Sequence, residues 1–321
     1  MTGPTPPDAD DPEVPDLSSD SSSSSADFQV HRGHCFAVAY RMLGSVADAD
    51  DIVQEAWLRW AGAHADLRRP RAWLTRVVTR LAIDRLRAQA RTRAVYVGPW
   101  LPEPLLDGTV DLVDEVGLAA APKADPADHV ELGESVKMAF LVVLEQLGPI
   151  ERAVFLLRSV FDRDYDEIAA ATGKSATNCR QIYARARGRI DAARPRFDVP
   201  VAEHLALLFQ FQQATEANDT QALVAALAPD AVLTSDGGGK RQAALKPIHG
   251  AAKIAKFALG VWQLQTGETE LQTRMINGQP GALLFVDGEL DSVISSDIVD
   301  GKIVRIHIVR NPDKLRHLQL G

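Results

Sequence analysis

The spacing of apolar residues changes once along this chain, and that change determines its fold class. From Phe28 to Ile190 apolar side chains recur at three- and four-residue steps, the period of an α-helix. Beyond Pro195 and Pro200, two short helical stretches give way to alternation, the period of a strand. The first helix carries Phe36, Ala39, Tyr40 and Leu43 and stops at Gly44. A second runs from about Ala47 to His64 on Ala49, Ile52, Val53, Ala56, Trp57 and Trp60. A third begins near Pro70 with Trp73, Leu74, Val77, Val78 and Leu81 on one face. The helical period returns at Val130–Leu147, Ala153–Val160, Asp164–Thr172 and Ser175–Ile190. Strands are clearest where Thr269, Leu271, Thr273 and Met275 alternate with Glu270, Gln272 and Arg274, and where Val304, Ile306 and Ile308 alternate with Arg305 and His307. The expected protein is multidomain: two all-α units followed by an α+β domain.

Between these units the text is different. Residues 1–27 are rich in Pro, Ser and Asp and have almost nothing to bury, so they read as a disordered acidic tail. Residues 96–129 hold five prolines and runs of acid, and read as a linker. The units are then 28–95, 130–196 and 197–321. At 46% hydrophobic, the chain can bury a substantial core, and its net charge of −8 argues against a nucleic-acid binder when taken whole. Resolved by segment, the charge says otherwise. Residues 29–95 carry 12 Arg and Lys against 6 Asp and Glu, and residues 151–196 carry 10 against 6. Residues 1–28 and 96–134 instead hold 7 and 9 acidic residues. Both helical units are basic, and much of the acid lies outside them. Cys35 and Cys179 have no metal-ligand spacing and read as buried apolar residues. No stretch reaches the roughly 18 apolar residues of a membrane span, and the acidic N-terminus is unlike a signal peptide. A cytoplasmic protein without metal or cofactor is expected.

The second basic unit has helix-turn-helix grammar. Tyr165–Thr172 reads as a short amphipathic helix, Gly173 as its turn, and Ser175 as the start of a second helix. At 100° per residue Ala176, Cys179, Ile182, Tyr183, Ala186 and Ile190 form its buried face. Thr177 and Gln181 then point outward, flanked by Asn178, Arg180 and Arg185, side chains suited to base edges and phosphates. In the first unit Arg76, Arg80 and Arg87 form a ridge on the third helix, able to track a phosphate backbone. On the second helix Asp48, Asp50, Asp51, Gln54 and Glu55 make an acidic polar face.

The runs Asp48–Arg59 and Arg71–Arg87 resemble region 2 of an extracytoplasmic-function sigma factor of the sigma-70 family, and Leu147–Phe155 with the helix-turn-helix resembles region 4. The resemblance implies that Asp51, Gln54 and Glu55 bind the clamp helices of core RNA polymerase. It implies that the third helix, with Trp73, Arg76, Arg80 and Arg87, engages the −10 element of promoter DNA. Arg80 stands where many members carry Asn. The helix bearing Thr177, Asn178, Arg180, Gln181 and Arg185 would read the −35 element. The order helix, helix, strand, strand, helix, then several strands resembles the SnoaL-like group of the NTF2-like superfamily, a cone with an internal pocket. A sigma-factor subgroup carries such a domain, and three segments look like its signatures. These are Trp100-Leu101-Pro102 and the Glu-Pro that follow, Asp236-Gly237-Gly238-Gly239-Lys240, and Asn311-Pro312-Asp313-Lys314-Leu315. They are expected to be interdomain regulatory contacts. Trp100 reads as an exposed docking anchor, the glycine run as a tight turn or an anion cradle, and His249 and His307 as structural residues or pocket acid/base groups. No catalytic set can be assembled, so a non-enzymatic initiation factor regulated in cis is expected. The alternative is a bifunctional protein whose pocket senses, cyclises or hydrolyses a small molecule.

Overall fold

A computed structural model describes residues 17–63, 67–106, 136–193 and 199–318, side chains of 17–26 and 193 excepted. Residues 1–16, 64–66, 107–135, 194–198 and 319–321 lie outside the described residues; they include most of the segments read as tail and linker, the expected end of the second helix at His64 and the first residues of the helix expected over Val130–Leu147. The first half is helical throughout: α1 (Leu17–Leu43), α2 (Val46–Ala61), α3 (Pro70–Ala94), α4 (Met138–Leu144), α5 (Pro149–Ser159), α6 (Tyr165–Thr172) and α7 (Ala176–Ala193). Helix α1 reaches ten residues further back than Asp27, into the serine-rich segment read as disordered tail. That extension prolongs a helix already anchored by Phe28, Cys35 and Phe36, and propagation costs far less than nucleation.

The boundaries follow local chemistry. Ser45 caps α2 by accepting the Asp48 N–H at 3.2 Å, and Pro70 and Pro149 occupy the first turns of α3 and α5. The two helical units share one apolar core. Phe36, Leu43, Ile52, Leu74 and Val78 pack in the same cluster as Phe140, Leu144, Phe155, Leu156 and Ile190.

The second half contains α8 (Val201–Glu216), α9 (Thr220–Ala226), β1 (Leu227–Asp236), β2 (Ile248–His249), α10 (Ala251–Gln263), β3 (Thr269–Ile276), β4 (Gln279–Val286), β5 (Glu289–Val299), β6 (Lys302–Val309) and α11 (Pro312–Leu315). A 3₁₀ turn, Arg316–Leu318, follows. The sheet order is β2-β1-β6-β5-β4-β3, antiparallel except for the parallel β1–β6 pair. Three hairpins turn on Asn277-Gly278, Asp287-Gly288 and Asp300-Gly301, all six residues at positive φ, which matches the right-handed twist of the flanking strands. One face of the sheet closes over α8 and α10, giving the α+β cone expected of an NTF2-like domain. The other face packs Leu283, Val293 and Val309 against Leu101, Leu106, Met138, Leu315 and Leu318. Residues 101–106, at the start of the segment read as a linker, are buried and form a strap between domains.

Candidate DNA-binding, polymerase and interdomain surfaces

The helix-turn-helix is formed by local signals. Asp164 caps α6 through the Glu167 N–H at 2.7 Å, Gly173 ends it at φ +69°, and the Ser175 hydroxyl accepts the Asn178 N–H at 3.2 Å. Cys179, Ile182, Ala186 and Ile190 are buried, whereas Thr177, Asn178, Arg180, Gln181 and Arg185 are all exposed. The Arg180 guanidinium lies 4.9 Å from the Tyr165 ring centre, which orients it without covering it.

The ridge on α3 is placed differently. Trp73 is half-buried, edge-on to Trp60 at 6.3 Å, and belongs to the shared core. Arg76 lies with Ala72 and Thr75 in a crevice shared with Leu157, Arg163 and Ala171 of the other unit. Arg80 donates to the carbonyls of Ala170 at 2.7 Å and Ala171 at 3.3 Å, where the last carbonyls of α6 have no helical partner. Arg87 is exposed, and its ion pair with Asp84 at 3.1 Å does not involve the helix-turn-helix unit. The ridge read as a free phosphate track is therefore largely seated on the helix-turn-helix unit.

Asp51, Gln54 and Glu55 are exposed on α2. Arg85 bridges Asp48 at 2.6 Å and Asp51 at 3.2 Å, and Arg59 pairs with Glu55 one turn away at 2.6 Å. The acidic face is thus held in place from its flanks.

The three signature segments meet in one cluster. Asp236, wholly buried, accepts the Tyr96 hydroxyl at 2.6 Å and the Gly238 N–H at 3.1 Å through Oδ1. Its Oδ2 accepts the Leu101 N–H at 2.8 Å and the Lys314 ammonium at 2.7 Å. Lys314 also donates to the Leu101 carbonyl, and its ammonium sits 3.9 Å from the Trp100 ring centre. The Arg93 guanidinium packs on the same ring at 3.9 Å. Burial lowers the Lys314 pKa to about 8, against the opposing pull of Asp236. Burial, with the Asp236 carboxylate beside it, pushes the Tyr96 phenol up.

Gly238, at φ +58°, leaves no room for a Cβ, which would stand 2.2 Å from Asn311 Nδ2; that amide donates to Tyr96 at 2.9 Å. The glycine run is a close-approach turn against residues 96–97 and Asn311. Lys240 pairs with Asp313, and the Asn311 side chain caps α11 through the Asp313 N–H at 3.1 Å. Pro312 opens that turn and Leu315 packs with Leu101. Pro102 sits 3.3 Å from a Cβ placed on Gly44. Trp100 is half-buried in this cluster, a seated anchor and not the exposed one expected.

Some contacts and residues here escaped sequence reasoning. Glu103, inside the first signature segment, accepts the Ser45 hydroxyl at 2.8 Å and the Val46 N–H at 2.6 Å, tying the strap to the start of α2. Asn277 accepts the Leu105 N–H at 3.0 Å and donates to Tyr40 and to the Val136 carbonyl, each at 2.9 Å. Its Asn-Gly pair signals a hairpin but not this second use. Gly44 at φ +64° lets Trp100 approach, since a Cβ there would lie 2.9 Å from the indole.

Inside the cone is a cavity of about 190 Å³, lined by Leu208, Leu233, Phe257, Leu284, Ile294, Ser296 and Ile306 among others. His307 alternates with cavity-lining Ile306 and Ile308 and so faces the other side of the sheet, buried 3.4 Å from Asp297. His249 is exposed in a separate shallow depression with Val224, Leu227 and Pro229. Neither reaches the cavity, which corrects their reading as pocket acid/base groups. Among the described residues, no group of three His, Cys, Asp or Glu could hold a metal ion, and no helix is long and apolar enough to cross a membrane.

Comparison with known proteins agrees with this geometry. Residues 28–92 match sigma-70 region 2 and residues 137–190 match sigma-70 region 4. The ECF RNA polymerase sigma factor SigJ of Mycobacterium tuberculosis (strain ATCC 25618 / H37Rv) is 36% identical over 301 residues, 90% of this chain and 92% of that one. The probable ECF RNA polymerase sigma factor SigI of Mycobacterium tuberculosis (strain CDC 1551 / Oshkosh) is 32% identical over 298 residues, 92% of this chain and 96% of its own. The crystal structure of Mycobacterium tuberculosis extracytoplasmic function sigma factor SigJ aligns with a TM-score of 0.73 at 33% identity, covering 92% of this chain and 100% of that chain. Similarity of this extent, over all three domains, places the chain in the family of extracytoplasmic-function (ECF) RNA polymerase sigma factors.

Proposed function

We propose that this sigma factor binds core RNA polymerase through Asp51, Gln54 and Glu55 and reads the −35 element with Thr177, Asn178, Arg180, Gln181 and Arg185. The −10 element is then engaged by Trp73, Arg76, Arg80 and Arg87, in the cytoplasm. Elements centred about 25 base pairs apart lie roughly 85 Å apart along B-DNA. Here α3 and α6 touch through Arg80, so the two units must separate before both elements can be held at once. The C-terminal domain controls that separation in cis, and its cavity accepts a small molecule. The observation that carries the reading is the Asp236 cluster, which ties the cone to the strap leaving α3.

The test is in vitro transcription with core polymerase and a genomic promoter library, using full-length protein and an Asp236→Asn variant. Promoter-specific transcripts with an altered yield in the variant are the expected result. An absence of core binding and of transcripts would overturn the initiation reading. Unchanged yield in the variant would overturn control by the cone.

A further inference from the structure

We infer that the cone cavity is a binding site for a neutral small molecule with one ring or a short aliphatic body and a single hydroxyl or carbonyl group, held at Ser296. The inference rests on the reading that the cavity accepts a small molecule, and specifies its chemistry.

Size is the first constraint. A cavity of about 190 Å³ slightly exceeds the ~150 Å³ apolar cavity that binds benzene in an engineered protein. One ring with a short substituent fits. Polarity is the second constraint. The wall is built mostly from aliphatic and aromatic side chains of α8, α10 and the inner sheet face, with neutral Gln and Thr groups between them, so a charged ligand would lose its hydration without a counterion. Among the lining residues the one ionisable side chain is Glu216, exposed at the end of α8, where it accepts from the Gln212 and Gln213 amides at 2.8 and 3.3 Å. An acid at that position also disfavours anions.

The third constraint is a polar break in the wall. Ser296 lies on β5 in register with Ile306, two residues from Ile294, and breaks the apolar patch of Ile294, Ile306 and Ile308. Of the other lining hydroxyls, Thr215 already donates to the Phe211 carbonyl at 2.8 Å and Thr273 lies on the edge strand β3. Its hydroxyl is 3.0 Å from His204 Nε2, and both residues are buried. Burial lowers the His204 pKa to about 4, so the imidazole is neutral near pH 7. A neutral ring nitrogen can take the serine proton or give its own. Ser296 can therefore meet a ligand carbonyl as donor or a ligand hydroxyl as acceptor.

The experiment uses the full-length protein without polymerase, with 4-ethylphenol, ethylbenzene and 4-ethylbenzoate as probes in titration calorimetry. 4-Ethylphenol is expected to bind at least tenfold more tightly than ethylbenzene, and 4-ethylbenzoate at least a hundredfold more weakly than the phenol. Ser296→Ala should bring the phenol and ethylbenzene to equal affinity. Ser296→Cys, close in shape and a weaker hydrogen-bonding group, should fall between and guards against misfolding of the alanine variant. Ala258→Phe, which fills the cavity from α10, should abolish binding of both neutral probes.

Equal affinities in the unaltered protein, or a preference that survives both serine substitutions, would overturn the Ser296 anchor while leaving an apolar cavity. Failure of both neutral probes, or binding that survives Ala258→Phe, would overturn the cavity as a ligand site. None of these outcomes depends on transcription, so the initiation reading stands or falls separately.

Discussion

Two seams hold this molecule together, and they are built on different physics. The seam between the first helical unit, α1–α3, and the helix-turn-helix unit is a shared apolar core with Arg80 and Arg152 reaching backbone carbonyls across it, Arg152 at 2.7 Å from that of Met42 in α1. The seam between strap and cone centres on one buried carboxylate that accepts four hydrogen bonds, one of them from a buried ammonium. Apolar contacts add up in small portions, so the first seam should weaken by degrees. A buried ion pair fails when one partner is removed, because the other charge is left in a poor solvent. The strap seam is thus the brittle one, and a single event there can release the cone.

The sharpest way to break this contrast is Asp236→Asn. It leaves the Lys314 ammonium buried between Trp100 and a neutral amide, at a cost of about 3–5 kcal/mol. Chemical denaturation should show that loss, and hydrogen exchange should show deprotection of residues 96–106 first. Asp313→Asn removes only the exposed pairs with Lys240 and Arg316 and should cost less than about 1 kcal/mol. Similar losses in the two variants would refute the brittle-seam reading.

Acid should act on the other seam. His34, on α1, is 2.7 Å from the Thr75 hydroxyl of α3 and edge-on to Phe161 at 5.6 Å. Burial, then the nearby Arg71 and Arg163, lower its pKa from 6.5 to about 3. The unfolded chain therefore binds the proton first, and stability present above pH 6.5 is lost as pH falls toward 3. At ~1.4 kcal/mol per pKa unit the loss is on the order of a few kcal/mol, shared with His204 in the cone, whose pKa is lowered to about 4. Melting temperatures between pH 7 and pH 4 should fall less steeply in His34→Gln than in the unaltered protein.

Gly238→Ala tests the close approach. Its Cβ would require both a strained positive φ and a shift of Asn311, at roughly 1–3 kcal/mol. Gly188→Ala, where a Cβ meets nothing within 4 Å on exposed α7, should be neutral or slightly stabilising by melting temperature. A Gly238→Ala variant as stable as the unaltered protein would show that the turn can relax away from Asn311.

What could be read from the sequence follows how local each feature is. The outward face of α7 was legible because caps, turn glycine and helical period all lie within about twenty residues, and all five residues chosen there are exposed. The signature segments were found by resemblance. Their partners Tyr96 and Asn277 were not, because they join elements 140 and 172 positions apart and carry no periodicity. The packing of the α3 ridge was not legible for a related reason. A row of arginines looks the same whether it awaits phosphates or a neighbouring helix end, and the acceptors of Arg80 are main-chain carbonyls about 90 residues away.

Arg80→Ala sharpens the contrast at its weakest point. The side chain gives two charge-assisted hydrogen bonds to the end of α6, but it is exposed and the apolar core beneath it is untouched. The expected destabilisation is about 1 kcal/mol, below the roughly 1.5–3 kcal/mol typical of hydrogen bonds to charged groups, because water replaces the bonds of an exposed side chain. The shared core should keep the fold cooperative, while hydrogen exchange at Ala170–Thr172 accelerates. If Arg80 serves both the seam and the −10 element, binding of single-stranded −10 DNA should also fall and lose salt dependence, with −35 duplex binding through Arg180 and Arg185 unchanged. Equal loss on both DNAs would mean that Arg80 acts only through the helix-turn-helix unit.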